Sequence, residues 1–259
     1  MKYAVVGGDV RFAHLARMLA EGGRIAQGFL QQGTNSDIAQ IADYDCVLSR
    51  WPMDQCDAVM RAIPSGATLL LCGPAFPDAH RSDLKYVNLW SDPRLLAENA
   101  YLTAEAAVSF ELARWRTLAN ARCLVIGFGR IGSALTEILT DLRAVVTVST
   151  RNADKLSRIR AIGARGILQA ALPDALSHFD LIFSTPPHMV LDEDLLARTK
   201  PDVEIVDLAS PPYGVDLDAA ERLKRNARRE PNLPGRYCPV SAAQVLLHAV
   251  ERWEANENG

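Results

Sequence analysis

The segment CLVIGFGRIGSAL, residues 123–135, has the pattern of a strand, a glycine-rich turn and the start of a helix. Its glycines form a G-x-G-x-x-G motif, which binds a dinucleotide when it joins a strand to a helix. The first glycine permits the tight turn, the second lets a pyrophosphate approach the backbone, and the third allows close helix–strand packing. Free N–H groups at the helix start stabilise the phosphates. The predicted cofactor contacts in this segment are Gly127, Gly129, Arg130, Ile131 and Gly132.

The next strand ends about 20 residues further on, where a dinucleotide-binding fold places the adenosine ribose. An NAD site has a carboxylate there, whereas this chain has Ser149, Thr150 and Arg151. Hydroxyls and a guanidinium suit a 2′-phosphate, so we predict NADP as the cofactor and favour it over NAD. Alternatively, Arg151 is an exposed turn residue or stacks on the adenine.

Two later strands, in DLIFSTPP and VEIVDLAS, end at the same carboxyl edge of the predicted sheet. This edge is where such folds bind their ligands, so Thr185 and Pro186 are further cofactor candidates. Asp207 is a candidate for cofactor contact and catalysis. A structural cap for the loop that follows is an equally good interpretation of this carboxylate.

The chain opens with an altered copy of the same unit, YAVVGGDVRFAHL, residues 3–15. The third glycine of the motif is absent, and Asp9 stands where a phosphate would approach. A carboxylate repels pyrophosphate, so we expect this unit to hold a substrate, with Gly8, Asp9 and Arg11 as candidates. Arg11 either pairs with a substrate carboxylate or is exposed, and Asp9 either caps the helix or acts on a proton.

Strand and helix patterns alternate in both halves, which is typical of doubly wound parallel sheets. Between the halves, residues 99–120 contain no Gly or Pro and are rich in Ala, Leu and Glu, which predicts a long helix. We therefore predict an α/β chain with two doubly wound, Rossmann-like parallel-sheet domains joined by a long helix, and a C-terminal helix returning to the first domain. The predicted boundaries are 1–98 for the substrate domain, 99–119 for the helix, 120–238 for the NAD(P) domain and 239–259 for the C-terminal helix.

The charge and the cysteine content of the chain argue against several classes of function. The 259 residues carry a net charge of −3 and a pI near 6.0, which gives no general attraction to nucleic acid or anionic lipid. The chain begins MKYAVVGGD without a signal-peptide pattern, so we expect a cytoplasmic protein. The five cysteines are scattered with no CxxC pair, and we predict no metal site.

Several motifs together resemble a bacterial family, the A subunits of dipicolinate synthase. They are VVGGDVR, NAYLTAEAA, VIGFGRIG, VSTRNADKLSRI, IVDLASPPYGVD and NLPGRYCPVSAAQVL, in this order along almost the whole chain. The resemblance implies oxidation of a cyclic dihydrodipicolinate-type dicarboxylate of the lysine pathway to pyridine-2,6-dicarboxylate, with NADP as hydride acceptor. It also implies that the partner is a flavoprotein-like second subunit, and it implies a role in spore formation.

The family motifs match this chain at positions that we expect to bind substrate or to act in catalysis. Glu105, like Asp9, is a candidate base for the ring proton. These positions are Gly8, Asp9, Arg11, Asn99, Thr103, Glu105, Asp207, Ser210, Pro234 and Gly235. The family motifs also match at Gly214, Leu233, Pro239 and Gln244.

Two other functions stay open. A D-2-hydroxyacid or alanine dehydrogenase has a similar two-domain plan, although hydroxyacid dehydrogenases place an arginine near the position of Ser210. A non-catalytic NADP-binding regulatory subunit is also considered, because Val240 replaces a lysine of the family's terminal motif. By analogy of fold, we expect a homo-oligomer, such as a homodimer.

Overall fold

The computed structural model describes residues 1–31, 37–78, 81–114 and 117–257. The chain divides into two compact units. Unit 1 comprises Met1–Leu102 and Pro234–Gly259, and unit 2 comprises Thr103–Leu233. Unit 2 is therefore one continuous piece of chain, whereas unit 1 is assembled from both ends of the sequence.

Short strands alternate with helices along the described chain. The strands are β1 Lys2–Val6, β2 Ile25–Phe29, β3 Cys46–Ser49, β4 Thr68–Leu71, β5 Lys85–Asn88, β6 Arg122–Ile126, β7 Val145–Thr150, β8 Arg165–Leu168, β9 Leu181–Ser184, β10 Glu204–Asp207 and β11 Asn226–Arg229. The helices are α1 Val10–Glu21, α2 Cys56–Ala62, α3 Pro93–Ala113, α4 Arg130–Asp141, α5 Lys155–Ala161, α6 Leu172–Ala175, α7 Glu193–Ala197, α8 Leu217–Arg222, α9 Leu233–Tyr237 and α10 Pro239–Glu257. Short 3₁₀ turns lie at Ile38–Asp43, Leu89–Ser91, Gln169–Ala171 and Leu176–His178.

Each unit contains one parallel sheet. In unit 1 the order is β2-β1-β3-β4-β5, and in unit 2 it is β11-β10-β9-β6-β7-β8. The order reverses beside the first strand of each sheet, which creates a crevice at the carboxyl edge where such folds bind ligands. The predicted fold class, two Rossmann-like parallel-sheet domains, is confirmed.

The first helix shows how periodicity positions the core of unit 1. Phe12, Leu15, Ala16 and Leu19 recur at helical spacing and are the buried face of α1. In the same cluster they meet Leu246, Ala249 and Val250 of α10, which packs against α1. The C-terminal helix thus returns to the first unit, as the sequence predicts.

The long helix α3 begins at Pro93, six residues before the stretch used to predict it. Proline suits the first helical position because its missing N–H would have no helical partner there. The carboxylate of Asp92 accepts a hydrogen bond from the N–H of Arg94 at 2.8 Å, which caps the helix start. The boundary between the two units falls within α3, between Leu102 and Thr103.

A polar cluster fastens α10 to the sheet of unit 1. The Tyr3 hydroxyl donates to Glu254 Oε1 at 2.5 Å, and Arg24 Nη2 donates to Glu254 Oε2 at 2.5 Å. The hydrogen bond from Arg24 holds the pKa of Glu254 below its ordinary value of 4.5, although partial burial acts in the opposite direction. Burial, followed by the bond to Glu254, raises the pKa of Tyr3, so this hydroxyl remains a donor.

Within the described ranges, no helix is long and apolar enough to cross a bilayer. Those ranges also contain no group of three or more His, Cys, Asp or Glu side chains arranged to hold a metal ion.

We expect Glu254→Gln to lower the free energy of unfolding by roughly 1–2 kcal/mol at neutral pH, because it removes a charge from a partly buried pair. The folded-state pKa of Glu254 is depressed, so its contribution is complete above the unfolded-state pKa and is lost as the pH falls through the folded-state pKa. Urea unfolding of both proteins between pH 7 and pH 3 measures this difference.

The matched control is Glu251→Gln on the same helix. Glu251 is 44% exposed and lies 3.6 Å from Arg24 Nη2, so its loss should change stability by less than about 0.5 kcal/mol. Equal effects of the two variants, or a Glu254 effect independent of pH, would contradict the assignment.

Candidate functional site

The glycine-rich turn joins β6 to α4, and its three glycines meet different surroundings. Gly127 has φ +90, and a Cβ there would lie 2.6 Å from the Thr185 Oγ1 atom. A Cβ on Gly132 would lie 2.1 Å from the carbonyl oxygen of Gly127. A Cβ on Gly129 would meet no atom within 4 Å. The protein's own packing therefore requires two of these glycines, and the third leaves open space above the backbone.

The helix that follows starts without a side-chain cap. Gly129 is the N-cap of α4, and having no side chain it makes no capping hydrogen bond to the first N–H groups of the helix. The first N–H groups of this twelve-residue helix therefore point into the open space, where the helix dipole favours an anion. Arg130 is exposed and Ile131 half-buried in its first turn.

A cleft of about 480 Å³ lies over this turn in unit 2. Its lining residues are Ile126, Gly127, Phe128, Gly129, Ser149, Thr150, Arg151, Asn152, Lys155, Gln169, Thr185, Pro186, Pro187 and His188. The cleft thus gathers predicted cofactor residues from three strand ends, although Arg130, Ile131 and Gly132 are not among the residues that line it. Its lining residues include Arg and Lys but neither Asp nor Glu.

The end of β7 presents polar groups to this cleft. Ser149 is 1% exposed, and its Oγ has no hydrogen-bond partner within the part of the chain that is described. Thr150 Oγ1 accepts the N–H of Asn152 at 3.2 Å, and Arg151 is exposed. A buried hydroxyl without a partner, beside an open glycine turn, fits a polar ligand such as a dinucleotide.

Lys155 is a cleft residue that the sequence reasoning missed. It begins α5, and its Nζ donates to the carbonyl of Phe128 at 2.9 Å, so the ammonium lies directly over the glycine-rich turn. The sequence does contain a signal for this residue, because Lys155 is the second cation in STRNADK, four positions after Arg151. Together they give the cleft two cations near the end of β7.

Thr185 and Pro186 close the neighbouring side of the turn. Thr185 Oγ1 donates to the carbonyl of Ile126 at 2.9 Å, which ties the loop after β9 to the end of β6. Pro186 lies over Gly127, where a Cβ would be 3.3 Å from its ring. Both line the cleft, in agreement with the edge at which the sequence places them.

The contacts of Asp207 agree with the interpretation that this carboxylate caps the loop that follows it. It is fully buried, and its carboxylate accepts the N–H groups of Ala209, Gly214 and Val215 at 3.1–3.3 Å. Arg229 Nε lies 3.5 Å from the same carboxylate. Asp207 therefore organises residues 208–215, the loop that carries the exposed Ser210, and it is absent from the residues that line the cleft.

The first βα turn, in unit 1, is filled by the protein's own side chains. Gly8 has φ +82, and a Cβ there would lie 2.4 Å from the ring of Phe12. Asp9 caps α1 by accepting the N–H of Arg11 at 3.1 Å. The same carboxylate accepts Arg11 Nε at 2.8 Å and Nη2 at 2.6 Å, so it forms a bidentate pair with the guanidinium.

The other predicted substrate residues lie on helices. Asn99, Thr103 and Glu105 are on α3, where Asn99 and Thr103 are one helical turn apart and Glu105 is exposed. Pro234 and Gly235 are buried in the short helix α9. The structure thus brings Gly8, Asp9 and Arg11 together in one turn.

Alanine substitutions distinguish the two kinds of glycine. We expect Gly129→Ala to leave the thermal unfolding temperature nearly unchanged but to weaken dinucleotide binding at least about tenfold, because its methyl group enters space that the protein leaves open. Gly132→Ala should lower stability by roughly 1–3 kcal/mol, because its methyl meets a carbonyl. Thermal unfolding and fluorescence titration with NADPH and NADH provide the measurements. Unchanged binding by Gly129→Ala would contradict this assignment.

Comparisons with known proteins agree with this geometry. The chain is 24% identical to the A subunit of dipicolinate synthase of Bacillus subtilis, over 97% of this chain and 95% of the relative. The crystal structure of the A subunit of dipicolinate synthase from Bacillus halodurans matches with a TM-score of 0.80, 20% identity and 97% coverage of both chains. D-lactate dehydrogenase from Escherichia coli matches with a TM-score of 0.68 and 17% identity, over all of this chain and 98% of that one.

Residues 95–226, about half of the chain, match the family model described as D-isomer specific 2-hydroxyacid dehydrogenase, NAD binding domain. The matched range contains the glycine-rich turn and every residue that lines the cleft. The resemblance to the A subunit of dipicolinate synthase, predicted from the sequence motifs, is confirmed. The chain therefore belongs to the D-isomer specific 2-hydroxyacid dehydrogenase family by its NAD-binding domain.

Proposed function

We propose that this chain is an NADP-dependent dehydrogenase that oxidises a dihydrodipicolinate-type cyclic dicarboxylate to dipicolinate. The observation that carries the cofactor assignment is the cationic end of β7, where Arg151 and Lys155 line a cleft whose lining residues include no carboxylate. The substrate class rests on the similarity to the A subunit of dipicolinate synthase over 97% of the chain.

The cofactor contacts divide by chemistry. The uncapped start of α4 binds the pyrophosphate, for which Gly129 leaves room beside the backbone. Arg151 holds the 2′-phosphate through its planar set of donors, and Lys155 supplies a second positive charge. Ser149 Oγ, buried and without a partner in the described chain, donates to the same phosphate or to the ribose.

When bound, the nicotinamide supplies the acceptor for the hydride that leaves a ring carbon of the substrate. Aromatisation also releases one proton from the ring, and a carboxylate of this chain takes it. Glu105 is the best candidate, because it is exposed and no hydrogen bond to its carboxylate occurs among the described residues. Asp9 and Asp207 instead have both oxygens committed to donors of their own unit.

In unit 1, Arg11 binds a carboxylate of the substrate and Asp9 is its positioning residue. The two hydrogen bonds from the guanidinium to Asp9 fix the orientation of its plane, which removes part of the entropy cost of binding a second carboxylate. We further propose that the chain works with a flavoprotein-like second subunit, its partner, and forms a homo-oligomeric assembly.

Arg151→Gln tests the choice of cofactor. We expect it to weaken NADPH binding at least about tenfold and to change NADH binding less than about twofold, because only NADPH carries the 2′-phosphate that this guanidinium holds. Calorimetric titration measures both affinities. Arg198→Gln, an exposed arginine that is not among the residues lining the cleft, is the matched control and should bind both cofactors as the wild type does. Tighter wild-type binding of NADH than of NADPH would overturn the assignment.

Turnover tests the reaction. With freshly prepared dihydrodipicolinate-type substrate and NADP, and with the second subunit present and absent, we expect reduced nicotinamide and pyridine-2,6-dicarboxylate to form in equal amounts. A parallel panel of 2-oxo acids with NADH and NADPH tests the hydroxyacid dehydrogenase alternative. Turnover in that panel alone would contradict the proposed substrate, and tight NADPH binding without any turnover would favour a regulatory subunit.

A further inference from the structure

Unit 2 contains a second cavity, of about 280 Å³, at the amino-terminal edge of its sheet. It lies where β6, β7 and β8 begin, against the crossover from β8 to β9. Its lining residues are Arg122, Val145, Thr147, Arg165, Ile167, Ala175, His178 and Phe179. None of them lines the cofactor cleft, which lies at the opposite ends of the same strands.

The cavity combines a threonine hydroxyl with two cations. Thr147 is 7% exposed, and its hydroxyl makes no hydrogen bond within the described chain. Arg122 and Arg165 are exposed at the mouth, and neither guanidinium forms a hydrogen bond or an ion pair in that part of the chain. The Thr147 hydroxyl is therefore available to hydrogen-bond a ligand in the cavity.

The neighbouring carboxylate, Asp180, forms its ion pair with Lys200 rather than with either arginine, although the charge of Arg122 also helps to lower its pKa. Asp180 accepts the backbone N–H of Arg122 at 2.9 Å and the Lys200 ammonium at 2.6 Å. Although its partial burial acts the other way, the bond from Lys200 holds the pKa of Asp180 below its ordinary value. This carboxylate is therefore already paired with Lys200, and the mouth of the cavity keeps an excess of positive charge.

The other lining residues are His178 and four apolar side chains. Val145 and Ile167 of the sheet face Ala175 and the buried Phe179 of the crossover segment. The volume is just below the roughly 300–1,000 Å³ of pockets that hold drug-sized ligands, so the occupant is smaller than those. A single ring with one carboxylate matches the size, the apolar walls and the cationic mouth.

We propose that this cavity, formed by Thr147, Arg122, Arg165 and the apolar side chains beside them, is a second ligand site that binds a small aromatic carboxylate. The ring packs against Phe179 and Val145, since aromatic side chains favour edge or offset contacts with a flat ring. The carboxylate accepts charge-assisted hydrogen bonds from the two guanidinium groups. This proposal stands independently of the substrate and cofactor proposed above.

The test uses the full chain and benzoate as the probe, with benzamide as its neutral analogue. We expect benzoate to shift the amide resonances of residues 145–147, 165–167 and 175–179 saturably, and benzamide to bind at least about tenfold more weakly because it lacks the charge. Saturable shifts confined to residues 127–129 or to unit 1, or equal affinity for the two probes, would overturn the proposal. So would the absence of saturable shifts up to millimolar benzoate.

Variants distinguish benzoate binding at this second site from a general effect of the protein's charge on benzoate binding. Arg165→Gln should weaken benzoate binding at least about tenfold, whereas Arg198→Gln should change it less than about twofold. Thr147→Val keeps the shape of the side chain and should also weaken binding without lowering the unfolding temperature, because the hydroxyl that it removes has no hydrogen-bond partner in the described chain. Unchanged benzoate binding by both Arg165→Gln and Thr147→Val would contradict the assignment.

Discussion

The close approach of α4 to the end of β6 is the constraint on which the cofactor site depends. The Cβ of any other residue at position 132 would lie 2.1 Å from the carbonyl of Gly127, so the helix reaches this position only with glycine there. The approach brings the first N–H groups of α4 to the carboxyl edge of the sheet, beside the crevice where strand order reverses. The residues that follow β7 and β9 then line the cleft beside that helix start.

Comparison of the two βα turns shows why one suits a phosphate and the other does not. Both turns use left-handed glycines, but the ring of Phe12 fills the space beside Gly8, whereas the space beside Gly129 is open. The start of α1 receives a carboxylate from the chain itself, Asp9, in the place that an anionic ligand would take. The start of α4 has no such side-chain cap in the described chain. The same local architecture is therefore satisfied internally in unit 1 and left open to a ligand in unit 2.

The sequence predicts the interior of each sheet better than its edges. Strands such as β3, β4, β6 and β9 are almost wholly buried, so they appear as continuous apolar runs. The edge strands β2, β5, β8 and β11 were missed, because they are short, half-exposed and partly polar. Their places are set by pairing with a neighbour, which a local pattern does not encode.

Among the site residues too, those set by a local sequence pattern were predictable and those set by tertiary contacts were not. The glycine turn was predictable, because the spacing of its glycines follows directly from the tight turn and the close helix–strand packing that dinucleotide binding needs. Lys155 was missed, because its contact with Phe128 depends on how α5 leaves the strand rather than on any motif. For Asp207 the sequence left two interpretations open, and burial among the backbone N–H groups of its own loop is visible only in three dimensions.

The discontinuous make-up of unit 1 has a consequence for biogenesis. Residues Thr103–Leu233 are continuous in sequence, so the contacts within this unit can form once that stretch has left the ribosome. The amino-terminal sheet lacks α10 and the Glu254 partner of Tyr3 until that helix has been synthesised. Unit 1 is therefore completed after unit 2, although its sheet is synthesised before unit 2. Until α10 has been synthesised, the apolar face of α1 lacks the helix that covers it in the folded chain.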